Sequence, residues 1–126
     1  MMMKGILILA HGSRQKETEE TLRVICDMLK TELEMDGIAG IETAFLQFSD
    51  RDLHNGLNAL ANRGADDIVV IPYFLFAGTH IKDDIPGEIK EFTQSHPEIC
   101  VSFGKTLGAD KRLALILKDR VMEMLQ

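Results

Sequence analysis

The chain has 126 residues, 45% hydrophobic and 27% charged, with a formal net charge of −6. This length and balance fit one domain with an ordinary apolar core. An acidic chain with no basic stripe and no Trp is a poor nucleic-acid binder, and the opening MMMKGILILA is too short an apolar run to span a membrane.

That opening run also lacks a small-residue cleavage site before the fold begins, so the sequence predicts a cytoplasmic protein. Ile6–Ala10 reads as the first strand. Leu22, Ile25, Cys26, Leu29 and Leu33 then recur at helical spacing and mark one apolar face. Gly37 and Gly40 are expected to break this helix, and Ile41–Leu46 reads as a second strand. Leu53, Leu57, Leu60 and Ala61 pattern a second helix, stopped by Gly64.

Ile68–Ile71 reads as a third strand that ends at Pro72. Ile85, Ile89 and Phe92 pattern a third helix with Pro86 near its first turn, where a missing N–H costs nothing. Ile99–Phe103 is a fourth strand, and Leu113, Ile116, Leu117, Val121 and Leu125 pattern a last helix. The two cysteines, Cys26 and Cys100, have no CxxC spacing and are expected to be buried reduced thiols.

Apolar strands that each lead into a helix imply a parallel sheet covered on both faces. The expected fold is therefore α/β: a single doubly wound, four-stranded parallel sheet of flavodoxin-like order 2-1-3-4, with residues 1–126 forming one domain. In such a sheet the crevice between the carboxyl ends of the first and third strands is the ligand-binding switch point.

Both lips of that crevice carry a histidine. His11 ends the first strand in AHGSR, and His80 follows the third strand in PYFLFAGTHIKDDIP. Neither is demanded by local propensity. Two facing neutral imidazoles suit Co²⁺, Ni²⁺, Fe²⁺ or Zn²⁺ and leave positions open for a substrate. No HExxH, cysteine pair or EF-hand loop supplies a third ligand, so a closed structural zinc site is not expected. The other two histidines, His54 and His96, are read as solvated helix residues. The apolar run Tyr73–Ala77 followed by Gly78 would floor a site for a flat macrocycle. Arg14, Arg51 and Lys82 could meet its peripheral carboxylates.

AHGSR, FLQFSD, GADDIVVIPYFLFAGTHIKDDIP and LGADKR occur in this order and together resemble the small CbiX-type sirohydrochlorin chelatases. These are class II chelatases, similar in fold to one half of protoporphyrin ferrochelatase. The specific element is PxFLxxGxHxxxDIP, here Pro72 to Pro86; HGSR alone carries little. The resemblance implies ATP-independent insertion of a divalent metal, cobalt first and nickel or iron in some members, into the carboxylate-rich tetrapyrrole sirohydrochlorin.

By the same resemblance His11 and His80 are the catalytic residues and metal ligands. Ser13, Arg14, Gln47, Leu75, Phe76, Ala77, Gly78, Thr79 and His80 line the substrate site. No cofactor stays bound, the metal being a substrate, and a homodimer with no membrane or nucleic-acid partner is expected. Where archaeal relatives often read EFSEP, this chain has Gln47-Phe48-Ser49-Asp50-Arg51, which removes a carboxylate. The short QSHPE segment also lacks the histidine-rich insertion of some nickel-using relatives. Two other readings stand beside this one. One is a metal or tetrapyrrole carrier without turnover. The other is a histidine-dependent phosphoryl-transfer enzyme, although Ala10 stands where histidine phosphatases have an arginine.

Overall fold

The computed structural model describes residues 2–76 and 78–126, with the side chains of residues 79–82 outside the described set. Four strands, β1 (Lys4–Ala10), β2 (Ile38–Phe45), β3 (Asp67–Pro72) and β4 (Cys100–Phe103), alternate with helices α1 (Lys16–Glu32), α2 (Leu53–Asn62), α3 (Thr79–Ser95) and α4 (Lys111–Leu125). The sheet is parallel throughout, in the order β2-β1-β3-β4. This is the predicted order, and it puts β1 and β3 side by side at the centre.

The period-two alternation of β1 divides the core. Leu7 and Leu9 point to the face covered by α2 and α3, where they meet Leu57, Leu60, Ile85, Ile89 and Phe92. Ile6, Ile8 and Ala10 point the other way, toward Leu22 and Cys26 of α1. Both faces of β1 are therefore buried, which is why its sequence is continuously apolar rather than alternating.

Several boundaries differ from the sequence reading. Gly40 does not break a helix but lies inside β2, where an added Cβ would collide with the Arg63 guanidinium. That guanidinium pairs with Glu42 at 2.8 Å, so the glycine leaves room for an ion pair folded over the strand. Pro86 is not in the first turn: α3 starts at Thr79 and runs through it. The proline therefore removes one helical hydrogen bond at a position where the buried residues Ile85 and Ile89 hold the helix down. Cys26 is buried as expected, and burial pushes its thiol pKa up. Cys100 is exposed, on the side of β4 where Ser102 is exposed as well.

The largest departure is α4. Its apolar spacing is as predicted, yet no residue of this helix is buried. Leu117 is 65% exposed and Met124 83%.

Candidate functional site at the carboxyl ends of β1 and β3

His11 follows the last residue of β1, and the ladder continues past the strand to hold it. The Leu46 amide donates to the Ala10 carbonyl at 3.0 Å, and the Gln47 amide donates to the His11 carbonyl at 3.1 Å. On the other side the Tyr73 amide donates to Leu9 at 2.7 Å. The backbone at His11 is thus gripped from both neighbouring strands while its side chain reaches solvent. Gly12 makes the grip possible. Its φ of +91° suits glycine, and a Cβ there would run into the Gln47 carbonyl.

The His11 ring packs on Phe74, centroid to centroid 4.2 Å and tilted by 35°. Phe74 is only 4% exposed and belongs to the α2/α3-side core, so the imidazole rests on a rigid apolar support. Neither ring nitrogen of His11 has a hydrogen-bond partner among the described residues. An exposed imidazole can bind a metal ion or take a proton through a ring nitrogen that carries no hydrogen.

The loop after β2 forms one wall. Phe48 has φ +62°, a strained conformation for a bulky side chain. The Arg14 guanidinium lies 4.9 Å from its ring centroid. The loop is braced beneath Phe48: Ser49 Oγ donates to Glu19 at 2.6 Å, the Arg51 amide donates back to Ser49 Oγ at 3.1 Å, and the Phe45 amide donates to the Arg51 carbonyl at 2.7 Å. Ser13 is occupied locally, its Oγ accepting from the Gln15 amide at 3.0 Å at the start of α1.

The opposite wall is the segment after β3. Leu75 and Phe76 are 52% and 79% exposed, so Phe74 alone of this aromatic run is core. The β4–α4 loop pins the segment, with the Leu107 amide donating to Phe74 at 2.8 Å and the Gly108 amide to Leu75 at 2.9 Å. An apolar groove of about 710 Å³ lies between Leu75, Phe76 and the first turns of α4.

Gly78 is the N-cap of α3 and His80 the second residue of that helix, so the chain does return a histidine to the β3 side of the crevice. Ala77 and the side chains of Thr79 and His80 lie outside the described residues. The structure therefore brings together His11, Gln47, Ser13 and Arg14 on one side and Leu75, Phe76 and Gly78 on the other.

His54 is exposed on α2, as expected, although its ring meets Phe92 edge-on at 6.4 Å. His96 is not a solvated residue. Its ring stacks on Phe92 at 4.2 Å and its Nδ1 lies 3.0 Å from the Phe92 carbonyl, closing the end of α3. Sequence reasoning missed Phe48 and the pinning role of Leu107. Both sit in quoted segments, FLQFSD and LGADKR, but strain and loop-to-loop hydrogen bonds have no local pattern.

The CbiX family profile matches residues 5–124. A sirohydrochlorin cobaltochelatase from Sulfurisphaera tokodaii is 32% identical over 98% of this chain and 96% of its own. A sirohydrochlorin ferrochelatase from Priestia megaterium is 31% identical over 96% of this chain but only 44% of its own. The sirohydrochlorin chelatase SirB from Bacillus subtilis subspecies spizizenii, solved in complex with cobalt, superposes with a TM-score of 0.85 at 29% identity, over 97% of this chain and 51% of that one. With a profile match across nearly all of both crevice walls and the sheet that carries them, the chain belongs to the CbiX family.

Proposed function

We propose that this protein is a sirohydrochlorin chelatase, a lyase that inserts a divalent metal into the tetrapyrrole without ATP, with cobalt as the first candidate and nickel or iron as others. The carrying observation is His11: an exposed imidazole at the switch point with no hydrogen-bond partner among the described residues, propped on Phe74 and rimmed by exposed apolar side chains. The full-length relation to the Sulfurisphaera tokodaii cobaltochelatase supports cobalt and sirohydrochlorin as the substrates. In this reading residues 1–126 act as one CbiX-type domain in the cytoplasm. No membrane or nucleic-acid partner is needed, and the metal is a substrate rather than a resident cofactor.

Insertion removes two pyrrole N–H protons and forms two new metal–nitrogen bonds, so one metal ion enters for two protons released. One imidazole cannot bind the ion and accept a proton at the same instant. In our reading His11 takes protons and His80 holds the ion. Leu75, Phe76, Ala77, Gly78 and Thr79 support the macrocycle on one wall, with Gln47 and Ser13 on the other. Arg14, already over the Phe48 ring, is placed to meet a peripheral carboxylate.

A flat macrocycle resting on a single open crevice stays half solvated. The Priestia and Bacillus chelatases are about twice the length of the matched region, which gives them room for a second unit. We therefore read the working form as a homodimer with two crevices facing each other.

The test is turnover. Purified protein with sirohydrochlorin and Co²⁺ should shift the tetrapyrrole absorption bands to those of the cobalt complex, over many equivalents per chain. His11→Ala should reduce the rate by at least 100-fold while the fold survives. A stoichiometric shift with no turnover would make the protein a carrier, and wild-type rates in folded His11→Ala would remove His11 from the mechanism.

A further inference from the structure

Arg14 and Glu19 both grip the loop after β2, and both come from the same end of α1. Glu19 lies one turn before Leu22 on the face of the helix that buries Leu22 and Cys26, so the core fixes the element from which its carboxylate projects. Arg14 stands two residues ahead of that helix. The Arg14 guanidinium lies 4.9 Å from the Phe48 ring centroid, and the Glu19 carboxylate accepts from Ser49 Oγ at 2.6 Å.

The backbone of this loop is tied at its ends but not at its tip. The Leu46 and Gln47 amides donate to Ala10 and His11, and the Phe45 amide donates to the Arg51 carbonyl. Between these anchors the amides of Phe48, Ser49 and Asp50 make no backbone bond among the described residues, so side chains hold the tip. Ser49 Oγ is their meeting point, accepting from the Arg51 amide at 3.1 Å while it donates to Glu19. Within this frame Phe48 takes φ +62°, a backbone state that a bulky residue keeps only when its surroundings impose it. Arg14 makes no ion pair with Glu19 or with any other described residue, so its charge is available to a ligand.

We infer that Glu19 is a positioning residue for the substrate: through Ser49 it locks the Phe48 ring in its left-handed geometry, and that ring holds the Arg14 guanidinium where a peripheral carboxylate of the tetrapyrrole arrives. Glu19 itself contacts Ser49 rather than the substrate. This rests on the chelatase reading and adds to it the device that sets one carboxylate contact. An exposed arginine has many rotamers, and confining it before the ligand arrives removes an ordering cost that binding would otherwise carry. The brace therefore acts on affinity. Its chemistry is also specific, because the Ser49 hydroxyl needs only an acceptor opposite it. The amide carbonyl of a glutamine can serve in place of the carboxylate, whereas an alanine methyl cannot.

Two readouts on the full-length protein test this. In the ligand-free state the ring current of Phe48 should displace the Arg14 side-chain proton resonances upfield. Glu19→Ala and Ser49→Ala should each abolish that displacement, the second with α1 untouched, and Glu19→Gln should retain it. Sirohydrochlorin fluorescence, titrated without metal, should give a Kd about 5- to 10-fold higher in both alanine variants and close to wild type in Glu19→Gln. In an Arg14→Ala background, removing Glu19 should weaken binding no further. Unchanged Arg14 resonances or an unchanged Kd in the alanine variants would overturn the proposal. So would equal losses in Glu19→Gln and Glu19→Ala, which would put the effect in the charge alone, or losses that simply add to that of Arg14→Ala. If the wild type ignores sirohydrochlorin while the resonances respond as expected, the chelatase reading falls and the brace on Arg14 stands.

Discussion

At the scale of single residues, His11 and Gly12 do opposite jobs at adjacent positions. The histidine must be free, so its backbone is anchored from both sides, and anchoring forces the next residue to a φ of +91° against the Gln47 carbonyl. Gly12→Ala adds left-handed strain of about 1–2 kcal/mol and a collision with backbone that cannot easily move. It should lower the urea midpoint by more than that strain alone accounts for, and lower the insertion rate with it. Phe74 separates support from stability. Phe74→Ala opens a core cavity and should cost about 3–5 kcal/mol. Phe74→Leu keeps most of the core volume and should cost less than Phe74→Ala, while removing the ring under His11. Fluorescence-monitored unfolding together with cobalt kinetics should therefore show Leu more stable than Ala, yet slower than wild type in insertion. The position of His11 at the carboxyl end of β1 was legible in the sequence, because the apolar run of the strand stops at Ala10. Phe48 was not, since a positive φ at a phenylalanine leaves no mark in composition or spacing.

At the scale of elements, the apolar pattern located all eight segments, because β1 and β3 are apolar on both sides, β2 and β4 on at least one, and each helix is striped. Ends were read less well where a side chain from elsewhere decided them. Gly40 looks like a helix breaker until Arg63 is folded over it, and Pro86 looks like a helix start until α3 is seen to begin at Thr79. Helix α3 also carries a pH effect. Partial burial, then Asp52 at the N-cap of α2 and Glu91 and Asp84 on α3, push the Glu88 carboxyl above the usual glutamate range, with His54 opposing. A raised acid pKa means that the folded state binds the proton more tightly, so stability falls as pH climbs from the ordinary glutamate value through the raised one. Above that window the loss is complete. Glu88→Gln should thus raise the melting temperature modestly at pH 7, worth up to about 0.5 kcal/mol, and leave it unchanged at pH 3. Equal gains at both pH values would show that the effect is packing rather than charge.

At the scale of the whole molecule, the sequence predicted a sheet with helices on both faces, and the chain supplies them unevenly. Three helices bury residues and the fourth buries none. No periodicity could reveal this, because an apolar stripe looks the same whether its own sheet or another copy's receives it. The consequence is thermodynamic. If the apolar stripe of α4 is covered only in a pair, folding and association are one equilibrium, and mass action makes stability depend on concentration. At roughly 0.7 kcal/mol of unfolding enthalpy per residue, two chains of 126 residues unfolding together should raise their melting midpoint by about 3 °C for each tenfold rise in concentration. Scanning calorimetry from 5 to 500 μM, roughly the accessible range, spans two such decades and should move the midpoint by about 6 °C. Charging the exposed apolar stripe of α4 with Leu117→Glu and Val121→Glu should make the protein melt lower and at one temperature throughout. A wild-type midpoint that ignores concentration would mean that each chain completes its own fold, with α4 settled on its own sheet or stable in solvent.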